Sequence, residues 1–363
     1  MASELVISGN HDDALTHLLL VGLASILDDA DETLDCRIRW KGFDQAAISV
    51  SKDSFDWLDC ARIVHDHAER WSTSTWLNAT GVYATDGADD GAASKATLSP
   101  RLGRFPTRAA WQRLQDDRQA AIDGLQTALD HRYVGALGEP SYWCGSPDDQ
   151  DPDRGATRWE MVTRNKGKEF IGGRFLPLAK AVAARRVEQV ADGLRGMSVT
   201  DEVGKDKPNS RTSTGLHHPS ATDNARAWCA LIGVSMFPIA RSTQARKEST
   251  AAFFPMKGQR EPCAILPLWA KPWTLAKYRA VVRSRALLTV GLDARLQPDA
   301  DERKTADINA VAVQRSRRWL TAQGVTACMI FRQYVSNNKS APERWLKKGE
   351  GLLLNEPGAD HGR

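Results

Sequence analysis

Residues 14–27, Ala-Leu-Thr-His-Leu-Leu-Leu-Val-Gly-Leu-Ala-Ser-Ile-Leu, constrain the fold more than any other segment of this chain. Asp12 and Asp13 precede them and Asp28 and Asp29 follow. A carboxylate at 12 or 13 accepts the orphan amide protons of a first helical turn, so a helix to about Leu27 is expected. Leu15, Leu18, Leu19, Leu20, Val21, Leu23, Ile26 and Leu27 point round most of that helix. A helix without a polar face is normally covered on every side. Its apolar stretch, Leu18 to Leu27, is about half of the ~20 residues that a membrane crossing needs. The segment therefore reads as a buried helix of a globular chain. Gly22 costs ~1 kcal/mol of helix propensity relative to Ala. Close approach of a neighbouring element is the expected reason.

The flanking residues supply the sheet. Leu5-Val6-Ile7 reads as a short strand closed by Gly9-Asn10, and Cys36 to Trp40 and Ala47 to Ser51 alternate as half-buried strands do. Ser54 or Asp56 then starts a helix to about Trp71. The order β-α-β-β-α is the opening of a ferredoxin-like α+β unit. With 363 residues, the chain is long enough for two domains or one large one. Its 42% hydrophobic and 26% charged residues exclude a collagen, a coiled coil or a disordered tail. The six cysteines are far apart and form no CxxC, so neither a disulfide scaffold nor a zinc ribbon is expected. No basic residue precedes an apolar stretch at the start, so a secretion signal is not expected, and the cytoplasm is the expected location.

The net charge of +4 conceals a division. Residues 1–153 hold 13 Lys or Arg against 26 Asp or Glu, a balance of −13. Residues 154–363 hold 36 against 19, a balance of +17. The sign changes at the polar, Pro-containing stretch 145–157, so an acidic α+β lobe, 1–153, and a basic, mixed, helix-rich lobe, 154–363, are expected. Between the opening and this boundary come a loop at 84–106 and a helix capped by Thr107 running to about His131. Beyond it, helices are expected over 176–194, 223–233, 274–288 and 307–323, with Asp223 and Thr274 as caps. Strands are expected over 251–254, 264–268 and 325–335, and a mobile polar loop over 196–221.

Cations and aromatics alternate in the second half. Residues 241–285 carry ten Lys or Arg against two Glu, and 313–348 carry eight against one. Trp269, Trp273, Tyr278, Trp319, Tyr334 and Trp345 interleave with them. Cations that neutralise phosphates supply most non-specific nucleic-acid affinity, and exposed aromatics offer stacking worth ~1–3 kcal/mol per base. A solvated basic surface over tryptophans that belong to the core is the competing reading. Arg164, Asn165, Lys166 and Lys168 beside Gly167, and Arg174 after Gly172-Gly173, set cations next to glycines that let a backbone approach a phosphate. Lys205, Lys207, Asn209 and Arg211 suit phosphate or base-edge contacts. Arg279, Arg283, Arg315, Arg317 and Arg318 add cations on helices. No Walker, GxSxG or HExxH pattern occurs. His11 with Asp12 and Asp13 reads as a helix cap rather than a metal pair, and neither a metal nor a cofactor is implied.

Three segments carry a resemblance. Residues 14–27 followed by Arg37-Ile38-Arg39-Trp40 resemble the amino terminus of subunits in CRISPR effector complexes of type I-U, also called I-G. Residues 225–238, Ala-Arg-Ala-Trp-Cys-Ala-Leu-Ile-Gly-Val-Ser-Met-Phe-Pro, resemble a later helix of those proteins. The stretch Asn165 to Arg186, with Gly172-Gly173-Arg174 and Leu176-Pro177-Leu178-Ala179, is similar to their central basic part. The resemblance implies a non-catalytic, large-subunit-like component of an RNA-guided surveillance complex in antiviral defence. Such a subunit reads the motif beside the target and holds DNA by its backbone, while guide RNA pairing reads sequence. Its partners would be target DNA, guide RNA and other effector subunits. Two alternatives stand beside it. One is a guide-processing endoribonuclease with His217 or His218 as general base. The other is a structural adaptor that docks an acidic protein on the basic half.

Overall fold

The computed structural model describes residues 3–73, 76–83, 95–98, 107–137, 156–159, 161, 171–210, 214–240, 249–254, 261–296, 308–338 and 342–354. Strand β1 (Ser3–Ser8) leads into helix α1 (Ala14–Ala30), whose cap is Asp13, with Oδ1 accepting the Leu15 amide at 2.9 Å. Every residue from Ala14 to Leu27 is buried, as an all-round apolar surface requires. Strands β2 (Arg37–Trp40) and β3 (Gln45–Val50) and helix α2 (Trp57–Thr73) complete the opening. Asp56 rather than Ser54 caps α2, accepting the amides of Leu58 and Asp59.

The first sheet is antiparallel, in the order β1-β3-β2-β10, where β10 is Trp273–Thr274. Its buried side (Leu5, Ile7, Ile38, Ile48) joins the α1 core. The opposite side of α1 is covered by helix α7 (Asn224–Gly233). Gly22 explains the approach: a Cβ built there would lie 1.8 Å from the Cys229 carbonyl oxygen, and one built on Gly233 would lie 2.3 Å from that of Leu18. Each helix presents a glycine to the other's backbone.

Between these elements run the ribbon β4 (Thr80–Gly81) with β5 (Lys95–Ala96), helices α3 (Arg108–Asp123) and α4 (Ala128–Leu137), the ribbon β6 (Ala156–Thr157) with β7 (Ile239–Ala240), and helices α5 (Leu176–Ala183) and α6 (Val187–Arg195). Trp71, Trp76, Tyr133, Phe175 and Trp228 form one aromatic cluster, with Phe175 stacked on Trp228 at 4.7 Å and on Tyr133 at 4.8 Å. It welds α2, α4 and α7. Elements on both sides of residue 153 share one hydrophobic core.

The second sheet runs β8 (Phe253–Phe254), β9 (Cys263–Trp269), β11 (Val325–Val335), with β12 (Arg344–Leu346) and β13 (Glu350–Leu353) both on the far edge of β11. All seven residues of β9 are buried. Helices α8 (Leu275–Val282), α9 (Arg285–Leu296) and α10 (Ala310–Ala322) accompany it. Trp269 stacks on Trp273 at 4.7 Å and donates its indole N–H to the Ile38 carbonyl at 2.8 Å, which ties the second sheet to the first. The fold is mixed α+β, with antiparallel sheets.

Several expected elements are divided. The helix over 176–194 breaks at Ala184–Arg186, where Arg185 turns inward and Gln189 accepts the Arg186 amide to start α6. The helix over 274–288 breaks at Arg283, and the Ser284 hydroxyl caps α9 by accepting the Leu287 amide. The helix from 107 ends at Gly124, and α4 restarts around a reciprocal Thr127–Asp130 cap. The strand expected over 251–254 is confined to Phe253–Phe254. Among the described residues, no helix is long and apolar enough to cross a membrane.

Candidate nucleic-acid interface

Strand β11 alternates along its second half. Met329, Phe331 and Gln333 are buried, while Arg332 and Tyr334 face outward. On β12 the buried residue is Leu346, opposite Gln333, so Trp345 faces outward opposite Tyr334. The two rings stack at 4.8 Å with 24° between their planes. One step further, the Lys347 amide donates to the Arg332 carbonyl at 2.8 Å, which sets these two cations across from each other. Like charges directly opposite destabilise a sheet. Here Glu350 and Glu261 relieve them, at 3.3 Å from Arg332 and 2.6 Å from Lys347. Both ion pairs are exposed, and exposed pairs are worth at most ~1 kcal/mol. A phosphate can exchange for either carboxylate. The result is an open face of two stacked aromatics beside two cations, which suits a single strand: bases on rings, phosphates on cations.

His218 extends this face. Its ring stands edge-on to Trp345 at 4.7 Å, and its Nδ1–H donates to the Pro219 carbonyl at 3.1 Å. The described residues supply no partner for Nε2. His217 differs, because both of its nitrogens are engaged: Nδ1–H donates to the His218 carbonyl at 2.6 Å and Nε2 meets the Thr222 hydroxyl at 2.8 Å. Beside the face lies a cleft of about 510 Å³, lined from three segments by Gly9, Asn10, Asp12 and Asp13, by His217, His218 and Ser220, and by Leu346 to Lys348. Three segments meet there. The Gly349 amide donates to the Asp12 carbonyl at 2.7 Å, and the Leu346 amide to that of Gly215 at 2.9 Å. Burial raises the pKa of Asp13, and the nearby His217 and Arg226 oppose the rise.

The loop over 196–221, expected to be mobile, is built on buried acids. Asp223, fully buried, accepts from the Arg185 guanidinium at 3.0 Å, from the amides of Thr200 and Ala225, and caps α7. Glu202 takes the rest of the guanidinium at 2.6 Å. Asp201 accepts from the Gly204 amide and the Asn224 side chain. Lys205, Lys207 and Asn209 remain exposed on the outer turn, where Lys205 and Asp206 adopt left-handed backbone (φ 57° and 51°). Arg211 lies outside the described residues, as do Arg164, Asn165, Lys166 and Lys168. Arg174 sits in the turn Ile171–Phe175, and burial lowers its pKa.

The helical arginines divide into two sets. Arg283 donates to the carbonyls of Met236 and Phe237 at 3.0 Å, and Arg132, absent from the sequence candidates, donates to the neighbouring Ser235 hydroxyl at 3.4 Å. Arg279 stands one turn before Arg283 and has no ion pair among the described residues. Partial burial and the like charges of Arg279 and Arg132 lower the pKa of Arg283 to about 10. This is a cluster of three cations, drawn from both sides of residue 153. On α10, Arg317 pairs with Asp293 at 3.7 Å, while Arg315 and Arg318 are exposed and have no ion pair among the described residues.

The core reading holds for Trp269, Trp273 and Tyr278, all buried, fails for the exposed Trp319, and fails as well for Tyr334 and the half-buried Trp345. The sequence named those two only as interleaved aromatics. Alternation along 325–335 marks Arg332 and Tyr334 as outward, but nothing local pairs Trp345 with them. Asp12 pairs with Lys348 at 3.2 Å, and Asp13 caps α1. No family model and no curated protein matches this chain.

Proposed function

We propose that this protein is a non-catalytic nucleic-acid-binding subunit of an RNA-guided type I CRISPR surveillance complex, and that it holds a single strand on the Tyr334–Trp345 face. The observation that carries the binding reading is the outward-facing aromatic stack of Tyr334 and Trp345, flanked by Arg332 and Lys347. The excess of 36 cations over 19 anions beyond residue 153 supplies the long-range attraction. The three resembling segments support the assignment to a surveillance complex. The Arg132–Arg279–Arg283 cluster and the exposed Arg315 and Arg318 are secondary phosphate contacts in this reading.

Fluorescence anisotropy with a labelled single-stranded oligonucleotide tests the binding. Tyr334→Ala and Trp345→Ala each weaken affinity by ~1–3 kcal/mol, roughly 5- to 150-fold. Lys347→Glu lowers the slope of log affinity against log salt by about one. Unchanged affinity in both aromatic variants refutes the stacking face. Purification of a tagged copy from its native cells tests the assembly: guide RNA and effector subunits accompany it. Recovery of an acidic protein without nucleic acid would favour the adaptor reading instead.

A further inference from the structure

Three arginines meet at the turn Val234–Met236. Arg132, on α4, donates its Nε–H to the Ser235 hydroxyl at 3.4 Å. Arg283, just past α8, donates through Nε to the Met236 carbonyl and through Nη2 to that of Phe237, both at 3.0 Å. Consecutive residues 235–237 therefore hold two guanidinium groups side by side. Arg279 lies four residues before Arg283, one helical turn along the same face, and brings the third.

The bonds that fix these groups leave most of their donors unused and open. Arg132 keeps both Nη nitrogens and Arg279 its whole guanidinium, and these atoms reach solvent. Arg283 keeps Nη1 and is itself exposed. Among the described residues, none of the three forms an ion pair. Two carboxylates act on Arg132 from nearby, and both are engaged elsewhere. Asp28 accepts the Cys36 amide at 3.2 Å, while Asp29 accepts the Leu129 amide at 3.0 Å and pairs with Arg70 at 3.6 Å. Burial and mutual repulsion lower the pKa values of Arg132 and Arg283. Holding like charges together costs free energy, and a bound anion relieves it.

The number of donors selects the anion. One guanidinium fork satisfies a carboxylate, as Arg185 does for Glu202 at 2.7 and 2.6 Å. A phosphodiester offers two free oxygens and one charge, which two forks exhaust. A phosphomonoester offers three free oxygens and, above pH ~6, close to two charges, which match three guanidiniums. We propose that Arg132, Arg279 and Arg283 form a binding site for a phosphomonoester dianion, the terminal phosphate of a strand or of a free nucleotide. The inference goes beyond the strand-binding reading and stands without it, because none of the three residues belongs to the Tyr334–Trp345 face.

Isothermal titration of the full chain at about pH 8 and constant ionic strength compares methyl phosphate, a dianion, with dimethyl phosphate, a monoanion with one free oxygen fewer. Methyl phosphate binds about tenfold or more tightly than the diester, the size of a single charge-assisted hydrogen bond. Arg279→Gln lowers that affinity by about the same factor. It leaves the melting temperature of the unliganded protein unchanged or higher, because Arg279 makes no bond within the described fold. Arg279→Lys, which keeps the charge but not the fork, recovers part of the affinity. Arg132→Gln carries the test if Arg279→Gln does not fold. Equal affinity for the two esters, no binding of either, or full affinity in a folded variant overturns the site. Oligothymidine with a 5′-phosphate or a 5′-hydroxyl, and thymidine 5′-monophosphate, separate the two sources. A strand end is the ligand if the 5′-phosphate tightens binding in the parent but not in Arg279→Gln. A free nucleotide is the ligand if the two oligonucleotides bind alike, or not at all, while the monophosphate binds at least as tightly as methyl phosphate. Failure of single strands alone refutes the stacking face and leaves this site standing.

Discussion

Gly22→Ala sets two effects of opposite sign against each other. Helix propensity alone favours Ala by ~1 kcal/mol. Packing opposes it, because a Cβ at Gly22 would lie 1.8 Å from the Cys229 oxygen and 2.7 Å from the Gly233 nitrogen. Real Cβ atoms essentially never come closer than 3.0 Å, so α1 and α7 must separate by about 1.2 Å. Neither helix can yield into solvent, since both are buried over nearly their whole length. A gap of that size forfeits half or more of the dispersion between facing atoms. That places the packing loss in the upper part of the ~1–3 kcal/mol usual for overpacking, ~2–3 kcal/mol. The net expectation is a loss of ~1–2 kcal/mol, read as a lower midpoint in urea with an unchanged slope. Gly233→Ala acts on the same contact, so the double variant loses less than the two single variants added together. A Gly22→Ala protein at least as stable as the parent would show that the two helices do not meet at this point.

Two further outcomes concern buried charge. Asp223→Asn leaves the Arg185 guanidinium buried without its principal carboxylate, and urea unfolding should report a loss of ~3–5 kcal/mol; less than 1 kcal/mol would show that Glu202 suffices. Full burial lowers the pKa values of His17 and His67 to about 3, below the ~6.5 of the unfolded chain. The unfolded state therefore binds their protons first as the pH falls. This stability is complete above pH ~6.5 and is lost between there and about 3, at ~1.4 kcal/mol per pH unit for each histidine. Between pH 7 and 5 the two together lose ~4 kcal/mol, and replacing both by Gln should flatten that part of the profile; an unchanged slope would mean that other groups set it.

Local chemistry was legible where a residue's partners lie nearby in sequence. The cap at Asp13, the burial of α1 and the alternation of β2 and β3 follow from residues within a few positions of one another. Gly22 signalled a close neighbour, although not that Gly233 would answer it. The helix breaks were hidden, because apolar spacing continues across Arg185 and Arg283. The first break is fixed by Asp223, 38 residues away, and the second leaves Arg283 bonded to carbonyls 46 and 47 residues away. The loop over 196–221 looked mobile because its anchors, Asp201 and Asp223, read locally as ordinary polar residues. Charge counts located the basic half but could not rank its cations. Which of them are neutralised depends on partners such as Asp293, Glu350 and Glu261, and the cleft is assembled from three segments that share no motif.

Photocrosslinking tests the central claim most directly. A single-stranded oligonucleotide carrying 5-iodouracil, irradiated with the full chain and digested for mass spectrometry, reports which aromatic ring lies against a base. Attachment at Tyr334 or Trp345, lost when the ring in question is replaced by Leu, is the expected result. Attachment confined to Trp319 on α10, or to no residue of β11 and β12, would contradict the account.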